Sequence, residues 1–436
     1  METKLKRIAE VARAKPKERF TSLVHLVNEE MLVNCHREMD GSKAPGVDGV
    51  TKEIYEENLQ ENIKDLVARM KRQAYKPKPV KRIYIEKESG GQRPLGIPTY
   101  EDKLVQSAVA KILSAIYEED FLDCSFGFRP KRNCHDALRL LGGIVNKPEI
   151  DYVVDTDIKG FFDNVDHDWL MKFLDHRVQD PNLQRLVARF LKAGIMEDGV
   201  KHDSKKGTPQ GGVCSPVLAN LYLHQVVDLW FERKMRKVLK GKAYMVRYAD
   251  DIIFCFQYKE DVKHFYKALV RRLEKFELEL SEGKTNIVRL TKDSDDDSDG
   301  NSTFDFLGFT HYMGKCRDGI KRLKRKTSKE RLRRTISRFK KWIKKNKETP
   351  IKEFMKRINH KLKGTYNYFA VSDNSRSLYK LYQEVRKLIF KWLNRRSQRK
   401  SFDWESFSDF LDKHTIVRPR IKVNLYKIKI GIGYIQ

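Results

Sequence analysis

The alternation of apolar and polar positions divides the chain into helical and extended stretches. Over the first 40 residues Phe20, Leu23, Val24, Val27 and Met31 recur at helical spacing on one face, which predicts a helical start. The Gly/Pro-rich segment "GSKAPGVDGVT" (41–51) interrupts it, and another helical stretch follows. "YKPKPVKRIYIEKESGGQRPLGIP" (75–98) reads as strand, turn and strand, with "SGG" as the turn. Residues 101–118 and 165–193 carry mostly helical patterns, and "DYVVDTDIKGFF" (151–162) begins as a short buried strand between them. Residues 207–240 open as a Gly- and Pro-rich loop and continue as a helix. Two apolar runs in "VRYADDIIF" (246–254) predict a tight hairpin, with a helix near 260–276 after it. Leu332, Ile336, Phe339 and Ile343 give a single apolar seam to a helix or helix pair predicted over 321–347. A second apolar helix pattern, at Leu378, Leu381, Val385, Ile389 and Trp392, supplies its partner. Residues 421–432 alternate apolar and basic as a terminal strand or hairpin would, and no internal repeat is visible.

Charge changes this picture from a generic mixed fold to a polyanion binder. At 436 residues the chain can hold two or three domains. Its formal net charge of +29 attracts nucleic acid or an anionic membrane surface. No apolar run approaches the roughly 20 residues of a spanning helix, so no membrane partner is expected. The N-terminal residues have no apolar core of signal-peptide type. Cys35, Cys124, Cys134, Cys214, Cys255 and Cys316 show neither a C-x-x-C pair nor zinc spacing and are expected to be reduced thiols in a cytosolic protein. The cations are concentrated between Lys321 and Lys347, where Glu330 is the only acid. That density argues for phosphate-backbone contact rather than an ordinary solvated helix.

The candidate chemistry lies in the "VRYADDIIF" hairpin. Strand interiors avoid Asp, because a buried carboxylate is costly, yet Asp250 and Asp251 sit between two apolar runs. Taken alone, the pair reads as a solvated turn. Asp157 changes that reading, because it ends the apolar run "YVVDTD" and would face the hairpin from a neighbouring central strand. Three acids gathered in this way repel one another unless a divalent cation neutralises them, and Mg²⁺ favours a few carboxylates together with substrate phosphates. In "GTPQGGVCSPVLANLYLH" (207–224) the glycines allow close backbone approach at Gln210, although an ordinary loop would look the same. By contrast "DSDDDSDG" (293–300) has more acids but no apolar flanks, and reads as a solvated loop.

Taken in order, Asp157 with Phe162, "GTPQGG", "YADD", "LSEGKT" (280–285) and "FDFLGF" (304–309) resemble the motifs of reverse transcriptases, most of all those encoded by bacterial group II introns, also called maturases. "PGVDGVT", "EKESGGQRPLGIPTYEDKLVQ" and "SFGFRPKRNCHDAL" (125–138) resemble that family's N-terminal extension and fingers, and the likeness runs over roughly residues 40–400. It implies an α+β, right-hand polymerase with fingers, a palm containing an antiparallel sheet, and a helical thumb. The expected divisions are 1–70 (N-terminal extension), 71–150 (fingers), 151–315 (palm, with a helical insertion at 168–206), 316–400 (thumb or maturase domain) and 401–436 (tail).

The same resemblance implies RNA-directed DNA synthesis with two Mg²⁺ ions, held at Asp157, Ile158, Asp250 and Asp251. Lys87, Arg93, Phe162, Gln210 and Lys284 are then the expected dNTP contacts, Phe162 because a ring beneath the sugar leaves no space for a 2′-hydroxyl. "FLGF" would support the primer end. Arg129, Lys340, Lys341, Lys344 and Lys345 are the expected nucleic-acid contacts. "GTYNYF" (364–369) resembles the family's thumb motif, with Thr365 where Trp is usual. The expected partners are an RNA template, intron RNA, a DNA primer or target and dNTPs, in a bacterial cytoplasm. A relative recruited to phage defence, CRISPR spacer acquisition or diversity generation would carry the same core, as would a splicing maturase with vestigial polymerase activity. No Cys/His cluster of HNH-endonuclease type follows the basic helices, so any DNA cutting is expected to come from elsewhere.

Overall fold

Three sheets position everything else. They are seen in a computed structural model that describes residues 2–86, 91–208, 210–281, 283, 285–290, 303–316, 318–396 and 402–427. The first sheet takes strands β1 (Val80–Glu86), β2 (Gln92–Ile97), β4 (Ile195–Glu197) and β5 (Val200–His202), in the order β2-β1-β4-β5. The second runs β6-β7-β3-β8, from β3 (Tyr152–Asp157), β6 (Ala243–Tyr248), β7 (Asp251–Phe256) and β8 (Asn286–Arg289), and every neighbouring pair in it is antiparallel. The third is β11-β10-β9, from β9 (Thr303–Phe306), β10 (Phe309–Lys315) and β11 (Lys321–Thr327). Among the described residues helices outnumber strands and the second sheet is wholly antiparallel, so the α+β class expected from the sequence is what forms.

The second sheet is covered on both faces, which is why its strands are almost continuously apolar. Val154, Ile252, Phe254 and Phe256 join a core built with the helices Tyr100–Tyr117, Ser215–Leu223 and Lys259–Glu274. Val153, Ile253 and Cys255 point the other way, into a second core with the helix Cys134–Val145 and the C-terminal helices. The helix at Ser215 continues to Val238 through two widened, π-helical turns. No helix among the described residues is long and apolar enough to cross a membrane. All six cysteines are free thiols.

Three sequence expectations need correction. The first 40 residues are not one helical face: helices form over Glu2–Ala14 and Glu29–Glu38, and between them Phe20 bridges Val178 while the Asp180 carboxylate accepts from the Leu23 and Val24 amides at 2.6 and 2.7 Å. A remote acid thus anchors the start of the short helical turn Val24–Leu26, the one helical piece of this interval. The basic run 321–347 is likewise split. Its first seven residues form β11, where Leu323, Arg325 and Thr327 alternate inward, and only Lys329–Lys345 is helical, capped by Ser328. Finally, no strand forms over 421–427. That stretch makes one bridge, between Val423 and Val371, and the rest of the expected terminal strand lies outside the described residues.

Candidate active site

The strand register gathers the acids. In the β3–β7 pairing Asp157 lies directly opposite Asp251, and because paired residues project to the same face, the two carboxylates share one side of the sheet. Asp250 occupies the two-residue loop that joins β6 to β7, where Ala249 is forced into the left-handed region at φ +57°. Tight hairpins with right-handed strand twist demand such a residue. Next to Asp157, Ile158 bridges Leu280, and the Asp157 carbonyl accepts from the Ser281 amide at 2.8 Å, fixing the end of the strand.

Two residues earlier on the same face is Asp155, which sequence reasoning did not single out. Burial, then the nearby Asp251, Asp157 and Asp305 carboxylates, push its carboxyl up to about 8. Burial disfavours the charged form of this carboxyl, and the neighbouring carboxylates add to that effect. Among the described residues no three acids, histidines or cysteines form a ready-made metal cage. Asp157, Asp250 and Asp251, with the carbonyl of Ile158 at the strand end, are the groups that would hold a divalent cation.

Beneath the hairpin lies a buried polar network, also unforeseen. Arg247 on β6 is fully buried and grips Asp228 through two bonds, Nε to Oδ1 at 2.7 Å and Nη2 to Oδ2 at 2.6 Å. Its Nη1 donates to Asn220 Oδ1 at 3.0 Å and to the Ala249 carbonyl at 3.1 Å. Asn220 in turn donates to the Gly127 carbonyl at 2.8 Å. Gly127 sits against the hairpin tip so closely that a Cβ there would lie 2.3 Å from the Ala249 nitrogen. An Arg inside the apolar run "YMVRY" and an Asp inside "VVDLW" were the available signals, since a buried charge in either run needs a partner.

The remaining expected residues fall into three groups. Phe162, in the short helix Phe161–Asn164, and Gln210, in the following loop, are tied to their neighbours: the Phe162 carbonyl accepts from the Thr208 amide at 2.8 Å, and the Gln210 carbonyl accepts from the Gly96 amide of β2 at 2.6 Å. Gly211, at φ +109°, approaches the Gly96 carbonyl too closely for any side chain. Arg93 is exposed on β2, whereas Lys87 and Lys284 lie outside the described residues. Lys340, Lys341, Lys344 and Lys345 are all exposed on the helix Lys329–Lys345. Arg129 is the exception and must be corrected. It is buried, pairs with Glu118 at 2.9 Å and donates to the Leu122 and Ser125 carbonyls at 2.7 and 2.8 Å, so its donors serve the protein and not a nucleic acid. In "FLGF", Leu307 and Gly308 both take positive φ to form the turn between β9 and β10, and Tyr368 donates to the Leu307 carbonyl at 2.9 Å.

Residues 85–311 match the family model for reverse transcriptase (RNA-dependent DNA polymerase), and residues 329–407 match that for the group II intron maturase-specific domain. The group II intron-encoded protein LtrA of Lactococcus lactis subsp. cremoris is 38% identical over 234 residues, 53% of this chain and 39% of its own. Protein YkfC of Escherichia coli is 34% identical over 245 residues, 55% of this chain and 63% of its own. The chain therefore spans less than two thirds of either relative. Among solved structures, telomerase from Candida albicans in complex with a telomeric RNA fragment aligns over 83% of this chain and 65% of its own, at 12% identity and a TM-score of 0.45.

Proposed function

The chain belongs to the reverse transcriptase family, and from that premise we propose that it extends a primer 3′ end with dNTPs on an RNA template, binds intron RNA and assists splicing. The observation that carries the reading is the register that sets Asp157 opposite Asp251, with Asp250 beside them at the hairpin tip. Two Mg²⁺ ions would there activate the 3′-hydroxyl and stabilise the departing pyrophosphate. The chain's own residues do the rest. Asp157, Asp250 and Asp251 supply the negative charge that holds the ions, with the third contributing least. Phe162 closes the space under the sugar against a 2′-hydroxyl. Gln210, tied through its carbonyl to β2, meets the templating pair, and Arg93 grips the triphosphate from the fingers hairpin. Lys87 and Lys284 are proposed to add charge at the triphosphate and the pyrophosphate.

On this reading residues 1–70 are an N-terminal extension, 71–150 fingers, 151–315 palm with an insertion at 168–206, 316–400 thumb and 401–436 a tail. The insertion carries two helices and ends in the β4–β5 hairpin, which joins the fingers strand β1. The maturase-specific match over residues 329–407 supports intron RNA as partner over the other uses of such a core. A bacterial cytoplasm is the setting this implies. The test is extension of a primer on an RNA template with Mg²⁺ present and then chelated. Extension that survives chelation, or that proceeds on DNA templates alone, would sink the proposal.

The exposed thumb lysines give a second expected result. Each phosphate contact contributes a slope of roughly −0.9 to log K against log[salt] on B-form duplex, and less on single strands. Replacing Lys340, Lys341, Lys344 and Lys345 with Gln keeps helix propensity nearly unchanged. If about two to four of them touch phosphates, the salt slope flattens by about that number, for matched and mismatched sequences alike. An unchanged slope would show that these side chains serve only the solvent.

A further inference from the structure

We propose that Phe128 is the positioning residue that holds Phe162 in place as the sugar-selecting wall; this rests on the dNTP-binding reading of Phe162 given above. Two properties of Phe128 run against the ordinary economy of a fold. Its backbone is left-handed, at φ +59°, in a region that bulky side chains rarely adopt. Its ring is 55% exposed, although a Phe normally turns inward. Strained conformations of this kind persist only where the surroundings over-determine them, and they cluster at functional sites.

The surroundings of Phe128 do over-determine it, from both sides. Before it, Gly127 is pressed on the Ala249 nitrogen at the catalytic hairpin, and its carbonyl accepts from Asn220 at 2.8 Å. After it, the buried guanidinium of Arg129 is tied to Glu118 and to the Leu122 and Ser125 carbonyls. Pro130 then restricts Arg129 itself. This accounts for an Arg with no outward role: its donors lock the turn that displays the neighbouring ring.

What the displayed ring meets is Phe162, edge to face, with centroids 6.3 Å apart and planes at 82°. The other ring against Phe162 among the described residues is Phe161, at 5.3 Å, which is buried in the core that Phe162 packs on and reaches Tyr222. Phe162 is therefore held between a fixed core ring and an exposed ring mounted on the hairpin's own support. Without Phe128 only the core side remains, and the ring of Phe162 can swing away from the sugar.

The test compares Phe128→Gly, Phe128→Tyr, Phe162→Ala and the double variant Phe128→Gly/Phe162→Ala. It reads kcat and KM for a dNTP and its matching rNTP, together with the thermal midpoint. Glycine is at ease at φ +59°, so Phe128→Gly is expected to melt at or above the wild-type temperature. Its dNTP-over-rNTP preference in kcat/KM is expected to fall by about tenfold, the low end of what a reshaped apolar contact contributes to discrimination. Phe128→Tyr keeps the edge-to-face ring and retains the preference. In the Phe162→Ala background, removing Phe128 changes the preference no further. If Phe162→Ala loses preference while Phe128→Gly keeps it, the inference is overturned and the wall stands without it. If Phe162→Ala itself keeps the preference, the reading of Phe162 falls, and this inference falls with it.

Discussion

Asp250→Asn should slow primer extension by at least ~100-fold, about 2.7 kcal/mol of barrier, while template affinity stays near wild type. The substitution conserves size and the ability to accept a hydrogen bond, so the hairpin turn at Ala249 and the β6–β7 register have no reason to move. It removes one negative charge from a face on which Asp157 and Asp251 are already paired across neighbouring strands. On the proposed reading these carboxylates would hold the divalent cations, which would supply charge stabilisation at the transferred phosphate. The loss therefore belongs to kcat, and half-saturation shifts to higher Mg²⁺. Single-turnover extension across a Mg²⁺ titration separates the two, and a binding assay in chelator checks the template. Near-normal extension by Asp250→Asn would remove the hairpin from the catalytic assignment.

How far the sequence discloses this molecule depends on whether a contact is local. The hairpin at 246–254 is legible because two apolar runs flank a two-residue loop, and β3 because "YVVDTD" is short, apolar and ends in an acid. From those two segments the meeting of the acids follows by strand pairing, whereas the α+β class rests on the family resemblance. Strand β11 was hidden by its charge: Lys and Arg mask an alternation in which Arg325 is an inward residue, only 1% exposed, opposite His311. Over residues 20–27 only the short turn Val24–Leu26 is helical, and Asp180, more than 150 positions away in sequence, accepts from the amides at its start. Arg129 and Arg247 show the same limit in sharper form. A cation in a motif looks like a ligand for phosphate until its carboxylate partner is seen, and Glu118 and Asp228 become neighbours only after folding.

Arg247→Met should destabilise the fold by roughly 3–5 kcal/mol, because it strands Asp228 as a buried charge. Both side chains have no solvent exposure, so water cannot replace the guanidinium. Burial alone would raise the Asp228 carboxyl. The charge of Arg247 and the hydrogen bonds from His224 and Arg247 outweigh it, however, and hold the group below its ordinary value of 3.8. The sign of the pH dependence follows. In the wild-type chain Asp228 contributes stability that is complete above 3.8 and is lost only as pH falls through the lower folded value. With Met at 247 burial dominates, the folded carboxyl titrates above the unfolded one, and stability drops as pH rises from the unfolded value to the new folded one. The deficit of Arg247→Met is therefore expected to be smaller at pH 5, where the orphaned acid can take up a proton, than at pH 8. Adding Asp228→Leu should recover most of the loss and flatten the pH dependence, because two apolar side chains leave no buried charge. It should not restore extension, since the Ala249 carbonyl still lacks the Nη1 donor that steadies the turn carrying Asp250. Urea midpoints at the two pH values, with extension rates for the single and double variants, decide the matter. A deficit equal at both pH values would mean that Asp228 finds another partner, and full extension by the double variant would show that Arg247 serves stability alone.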